Sequence, residues 1–244
     1  MTRFIILAAG SGRRLGDALG GRPKCLAELG GRSLLARQLD AARRAGLRDI
    51  TVVGGYRAEC LAPLADDLVV NDEFDTTNMV ASLFRAEEMF ADDFVMSYGD
   101  IAYRDGVLTR LLASAHPVSV VVDRDWRSYW EQRFSDPLVD AESLRLDGRG
   151  GITGIGGRPA AIEDIQGQYI GLVRFRGSGI EALRRAYRDA FSARTMFMTD
   201  MLQMLIDTGV AVTAVEIDGG WVEIDHSSDL AVAERLVAEG RLDG

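Results

Sequence analysis

Residues 7–26 read LAAGSGRRLGDALGGRPKCL, a glycine turn followed by two arginines and then, after Pro23, Lys24. Lys24 is the only lysine in the chain, the other 27 of its 28 cationic residues being arginine. Bare backbone N–H groups in a glycine turn between a strand and a helix can cradle phosphate. A lysine ammonium meets phosphate oxygens as a point charge on a flexible stem, whereas a guanidinium meets them as a rigid fork. Two carboxylates stand out much later in the chain, Asp100 in SYGDI and Asp225 in WVEIDH, each at the C-terminal end of a predicted strand. Ligands bind at that edge of an open α/β sheet, and carboxylates there are candidates to hold a divalent cation. For Asp225 the plainer alternative is capping of the helix that SSDL begins.

A third group falls within 126–142: Trp126, Tyr129, Trp130, Arg133, Asp140 and Glu142, with Tyr169 and Trp221 on strands near the same edge. Aromatic faces and carboxylates together form a box for an ammonium group, and Arg133 can meet a phosphate. The bland alternative is that Trp126 and Trp130, at i and i+4, form one apolar stripe packing a short helix onto the sheet. Asp140 and Glu142, at i and i+2, point to one side of an extended segment. Asn78 and Ser82, one helical turn apart, can read a base or hold a ribose, although Asn78 is equally suited to cap its helix.

The elements that position these residues follow from hydrophobic period. RFIILAAG and DITVVGGY are short apolar runs ended by glycine, which suits buried parallel strands. Between them SLLARQLDAARRAGL carries Leu34, Leu35, Leu39, Ala42 and Leu47 on one helical face, with Gly46 as the stop. Strand, helix, strand at this spacing is a βαβ unit. DLVVND, DFVMSYGD and PVSVVVDRD read as further strands, alternating with helices over TTNMVASLFRAEEMF, capped by Thr76, Thr77 or Asn78, and GVLTRLLASA. The aromatic, charged and glycine-punctuated stretch that follows reads as an inserted loop or hairpin. GQYIGLVRF, AVTAVEI and WVEID are strands, and GIEALRRAYRDAF, MTDMLQMLIDTG and SSDLAVAERLVAEG are helices.

The 244 residues carry a net charge of -9, with 47% hydrophobic residues and two cysteines, Cys25 and Cys60. This balance argues against nucleic acid as a partner, and the cysteines and two histidines fit neither a disulfide framework nor a zinc site. The apolar run Phe4 to Ala9 is too short for a signal or membrane segment, so no membrane partner and a cytoplasmic location are expected.

Three phosphate-binding readings compete for the glycine turn. A Walker loop requires G-x-x-x-x-G-K-[ST], which is absent. A dinucleotide fingerprint requires glycine where Leu15 stands, and an acidic residue where the second strand ends in Gly54 and Gly55. The whole run G-x-G-x-R-L…P-K, together with Asp100 and Asp225, resembles the signature of nucleotidyltransferases that join an NTP to a phosphorylated small molecule. SYGDI, DPLVDAE and IQGQYIGL are more similar to the choline-phosphate and 2-aminoethylphosphonate cytidylyltransferases than to the sugar-1-phosphate enzymes.

The resemblance implies a Rossmann-like three-layer α/β/α fold with a mixed, mostly parallel sheet of about seven strands. It implies one domain over 1–244 with an acceptor-covering insertion at about 126–165. The implied reaction transfers CMP from CTP to a small phosphorylated or phosphono amino-alcohol with release of pyrophosphate. Mg²⁺ would be held by Asp100 and Asp225. Lys24 would contact the α-phosphate and Arg14 the β- and γ-phosphates; Arg13 has the weaker claim, since one of two adjacent arginines normally points to solvent. Leu7, Ala8, Ala9, Gly10, Ser11, Gly12 and Gly99, with Asn78 and Ser82, would line the nucleotide. Trp126, Arg133, Asp140, Glu142, Tyr169 and Trp221 would receive the acceptor. A sugar-1-phosphate nucleotidyltransferase and a silent nucleotide-binding regulatory module remain the alternatives, and monomer and homodimer are both open.

Overall fold

The structure, a computed structural model, describes residues 1–242, and of 16–18 the backbone alone. The chain opens with β1 (Arg3–Ala8), the ribbon β2 (Glu28–Leu29) and β3 (Arg32–Ser33), α1 (Leu34–Arg44), β4 (Ile50–Gly54), β5 (Asp67–Val70) and α2 (Met79–Arg85). Next come β6 (Asp93–Tyr98), β7 (Ile101–Tyr103), α3 (Asp105–Ala113), β8 (Val118–Asp123), α4 (Trp126–Arg133) and the hairpin β9 (Leu144–Leu146) and β10 (Ile152–Ile155). The remainder comprises β11 (Gln168–Arg176), α5 (Ser178–Asp189), α6 (Met198–Asp207), β12 (Val212–Ile217), β13 (Trp221–Glu223) and α7 (Ser227–Ala238).

Seven strands form one sheet in the order β12-β8-β11-β6-β1-β4-β5. All neighbours in it are parallel except β11, which runs antiparallel to both β6 and β8. The central strands are apolar on both faces because helices cover both. Phe4, Ile6 and Ala8 of β1 pack with Leu34, Leu35 and Leu39 of α1, Leu108 of α3 and Leu236 of α7. Ile5 points the other way, into a cluster with Val80 and Leu83 of α2, Leu183 of α5 and Leu202 of α6. Period-two alternation along a strand is what divides one apolar run between two cores. The result is a three-layer, mixed, Rossmann-like α/β/α architecture. No helix among the described residues is long and apolar enough to cross a membrane.

Three local expectations change. WVEID does not enter the main sheet: β13 pairs antiparallel with β7 as a separate ribbon, Glu223 opposite Ile101. Val222 and Ile224 are fully buried while Glu223 and Asp225 alternate with them, so only one face of the segment suits a core. The inserted segment is not only loop and hairpin, because Trp126–Arg133 is helical, with Trp126, Tyr129 and Trp130 buried on one stripe. The helix from Asn78 ends at Arg85, and Glu87–Met89 continues as a tighter turn.

The turn that leaves β6 beside its parallel neighbour β1 needs a glycine. Gly99 N donates to Leu7 O at 2.8 Å, and a Cβ at Gly99 would stand 2.7 Å from that oxygen and 3.1 Å from Ala8 Cα. Gly99→Ala is expected to destabilise the chain by ~1–3 kcal/mol through overpacking, whereas Gly10→Ala, with nothing within 4 Å of its added Cβ, stays near wild type. Urea unfolding of the two variants measures the contrast.

Candidate active site

The C-terminal edge of the sheet opens onto a cavity of about 450 Å³. Its lining comes from the turn after β1, the start of α2, the end of β6, the segment after α4, the start of β11 and the end of β13. Gln38 of α1, itself buried, fixes the turn that presents Asp100. Its Nε2 donates to the carbonyls of Tyr98 and Ile101, both at 2.8 Å, while its Oε1 accepts from Ser97 Oγ at 2.8 Å. The β7–β13 ribbon then brings the second acidic segment alongside, and Ile224 N donates to Asp100 O at 3.0 Å. Ligand oxygens of Asp100, Glu223 and Asp225 all lie within 4.8 Å of one another.

Lys24 Nζ donates to both Asp100 Oδ2 and Asp225 Oδ1. Arg14 Nη2 reaches Asp225 Oδ1 at 2.8 Å and is otherwise largely exposed. Burial works to lower the Lys24 pKa, but the facing carboxylates of Asp100, Asp225 and Glu223 outweigh it and hold the ammonium charged. Burial likewise works to raise Asp225, and Lys24, Arg14 and Arg133 bring it below the ordinary aspartate value. Glu223 is pushed up, first by burial and then by the neighbouring Asp225 and Asp100. The triad suits a hard divalent cation: its donors are all carboxylate oxygens, and Asp100 Oδ1 is buried with no hydrogen-bond partner. The Lys24 ammonium already occupies the position of positive charge between two of the three.

Of the residues expected around the nucleotide, Leu7, Ala9, Gly10, Asn78 and Ser82 line the cavity. Asn78 caps α2, its Oδ1 accepting from Met79 N at 2.9 Å. Ser82 Oγ accepts from the buried Asn71 Nδ2 at 2.9 Å, which leaves the hydroxyl proton for another acceptor. Ala8, Ser11, Gly12 and Gly99 lie outside the lining: Ala8 is buried in β1, Gly12 holds the turn with φ +65°, and Gly99 packs against Leu7.

Of the residues expected around the acceptor, Asp140, Glu142 and Tyr169 line the same cavity, joined by Trp130, whose Nε1 donates to a carboxylate oxygen of Asp140 at 3.1 Å. Three expected residues are elsewhere. Trp126 packs edge-on against Trp130 in the core. Trp221 is buried, and its Nε1 donates to Asp123 Oδ2 at 2.8 Å. Arg133 has a side chain with 0% exposure, spent on Asp229 and Glu223, so it does not meet an acceptor phosphate. Arg133 and Trp221 are each buried because a partner about a hundred positions away receives the polar group, a pairing that no local spacing reveals.

Glu223 is the main site residue absent from the sequence-based expectations, although it sits two positions before Asp225 on the same face of a strand. Tyr98, Gln168 and Thr199 also line the cavity. Gln168 Oε1 accepts from Glu142 N at 3.1 Å, and Thr199 Oγ1 lies 3.4 Å from Glu142 Oε1.

Arg14 and Lys24 beside a carboxylate triad, at the C-terminal edge of a mixed α/β sheet, are the groups that binding of a nucleoside triphosphate with a divalent cation calls for. Residues 4–198 match the MobA-like NTP transferase domain, and the chain belongs to that family. It is 34% identical over 247 residues to the CTP:phosphoglutamine cytidylyltransferase of Campylobacter jejuni, covering 93% of this chain and 97% of that one. It is 33% identical over 133 residues to the CMP-5'-(3-aminopropyl)phosphonate synthase of Streptomyces rubellomurinus, covering 51% of this chain and 21% of that protein. The solved inositol-1-phosphate CTP transferase of T. maritima superposes with a TM-score of 0.78 at 20% identity, over 97% of this chain and 95% of that one.

Burial raises the pKa of Glu142 to about 6, against a smaller lowering by its contact with Thr199. Glu142 is therefore neutral below about pH 6 and charged above it, where an ordinary glutamate is charged from about pH 4.3 upward. Carboxyl ¹³C shifts followed against pH should show one glutamate titrating near 6, and that resonance should vanish in Glu142→Gln.

Proposed function

We propose that the chain is a Mg²⁺-dependent cytidylyltransferase that transfers CMP from CTP to a small phosphorylated or phosphono compound bearing a primary or quaternary ammonium group. Choline phosphate, ethanolamine phosphate and 2-aminoethylphosphonate are acceptors of this type. The observation that carries the reading is a single cavity lined both by Arg14, Lys24 and the carboxylate triad and by Asp140, Glu142, Trp130 and Tyr169. The relatives named above support the choice of CTP or CMP and of an acceptor that carries phosphorus.

An acceptor phosphate or phosphonate oxygen attacks the α-phosphorus of CTP. A new P–O bond forms as the bond to pyrophosphate breaks. The nucleophile is already anionic at neutral pH, so no general base is needed. The site has to hold two anions in line and stabilise charge on the α-phosphate. Lys24 contacts an α-phosphate oxygen as a point charge, and the exposed fork of Arg14 receives the departing β- and γ-phosphates. Asp100 and Asp225, with Glu223, hold Mg²⁺, which when bound screens phosphate charge. Leu7, Ala9 and Gly10 line the nucleotide, and Asn78 and Ser82 contact base or ribose, Ser82 through its free O–H. Asp140 and Glu142, beside the Trp130 and Tyr169 rings, take the acceptor's ammonium. The segment 126–165 encloses the acceptor side.

Pyrophosphate release, measured with each of four NTPs against the three amino acceptors, glutamine phosphate and several sugar 1-phosphates, tests the assignment. Turnover is expected with CTP and an amine-bearing acceptor; turnover confined to sugar phosphates would replace this reading with the sugar-1-phosphate one. Lys24→Ala is expected to lower kcat by ~10²–10³, the scale of losing one transition-state charge contact. Lys24→Arg should be nearly as damaging, because the side chain is 13% exposed with its ammonium between two carboxylates, where a rigid planar fork replaces a point charge. Single-turnover rates of both variants decide the role.

A further inference from the structure

Arg133 ends α4, outside the cavity lining, with its side chain wholly buried. Its Nε and Nη2 donate to Asp229 Oδ1 and Oδ2 at 3.1 and 3.2 Å, and Nη1 donates to Glu223 Oε2 at 3.3 Å. The rings of Tyr129, Trp130 and Phe134 surround the guanidinium at 5.0–5.3 Å from its carbon. The fork is thus pinned by aromatic faces, oriented by the two oxygens of Asp229, and left with its Nη1 nitrogen for Glu223. Asp229 is as immobile: its side chain is 1% exposed, and Oδ2 also accepts from the backbone N–H groups of Asp225 and His226 at 2.9 and 2.8 Å. The same helix grips the backbone of Glu223, since Tyr129 Oη lies 3.0 Å from both its carbonyl oxygen and its nitrogen.

We propose that Arg133 is a positioning residue that fixes the Glu223 carboxylate beside Asp100 and Asp225, so that three mutually repelling groups form one cation site. The proposal rests on the reading of that triad as the Mg²⁺ site. A glutamate has one more rotatable bond than an aspartate, and three carboxylates within 4.8 Å of one another favour its turning away. A fixed positive charge behind Glu223 opposes that turn, and partners of this kind are worth about 10–100-fold in metal affinity. Arg133 is suited to it because its planar fork binds Asp229 and still spares a donor, which a lysine ammonium cannot do in the same geometry.

The test is a double-mutant cycle read by Mn²⁺ binding, with bound and free ion distinguished by electron paramagnetic resonance. Wild type, Arg133→Lys, Glu223→Gln and the double variant are compared at a temperature where circular dichroism shows each folded. Lysine at 133 retains a cation against Asp229 and so keeps the fold testable where Arg133→Met would leave two buried carboxylates uncompensated. Arg133→Lys is expected to weaken Mn²⁺ binding about 10–100-fold, Glu223→Gln by a similar factor, and the double variant no further. Such non-additivity marks action through Glu223, and a merely structural loss would not produce it. Losses that multiply, or Mn²⁺ affinity in Arg133→Lys within about twofold of wild type, would overturn the role of Arg133 and leave the cation site standing. Absence of Mn²⁺ binding in the wild type, or wild-type affinity in Glu223→Gln, would overturn the triad reading and the proposal with it.

Discussion

The site is organised around one ammonium group. Lys24 reaches Asp100 and Asp225, 76 and 201 positions away in the chain, and so ties the turn after β1 to two separate acidic segments. Three carboxylates with oxygens this close would repel one another in a half-buried edge, and the lysine offsets that repulsion in the free protein. Much of the architecture serves this meeting. The glycine at 99 lets the chain leaving β6 pass close to the end of β1, Gln38 holds the turn that presents Asp100, and the β7–β13 ribbon delivers Glu223 and Asp225 to the same point.

A buried layer of charge lies behind it. Arg133 and Asp229 form a pair shielded from solvent, and Asp229 accepts from the backbone of Asp225 while Arg133 touches Glu223. A pair like this is weak evidence of stability, since burying two charges is expensive and an apolar pair of the same volume often does as well. Its value lies in geometry: it fixes the acidic strand end from the side opposite the ligand. The aromatic stripe of α4 completes the arrangement, with Trp130 reaching Asp140 in the cavity lining and Tyr129 reaching the backbone of Glu223.

What is legible in the sequence follows the reach of its signals. The strand–turn spacing from Gly10 to Lys24 is local, and it excludes the other phosphate loops unaided. Apolar runs ended by glycine mark the central strands correctly, and the family resemblance supplies their number. WVEID reads as an ordinary strand because its apolar residues are legible, while its pairing with a three-residue partner is not. Glu223 is within reach, since the i, i+2 rule applied to Asp140 and Glu142 holds for it and Asp225. Arg133 and Trp221 are not, because an arginine among aromatics looks like a phosphate or ammonium site until its distant acceptors are seen; those acceptors are Asp229 for the arginine and Asp123 for the tryptophan. Of the two tryptophans at i and i+4, Trp126 packs into the core as the plainer reading has it, while Trp130 packs against it and also lines the cavity.

The scarcity of lysine has a consequence of another kind. Acylating and carbamylating chemistry acts on amines and leaves guanidinium groups alone, so 27 of the 28 cationic side chains are indifferent to it. Among its side chains, amine-directed modification of this kind falls on Lys24. There a single neutralised charge would leave Asp100 and Asp225 facing each other without their common partner. Protonated and largely enclosed between them, that amine is a poor nucleophile toward such reagents.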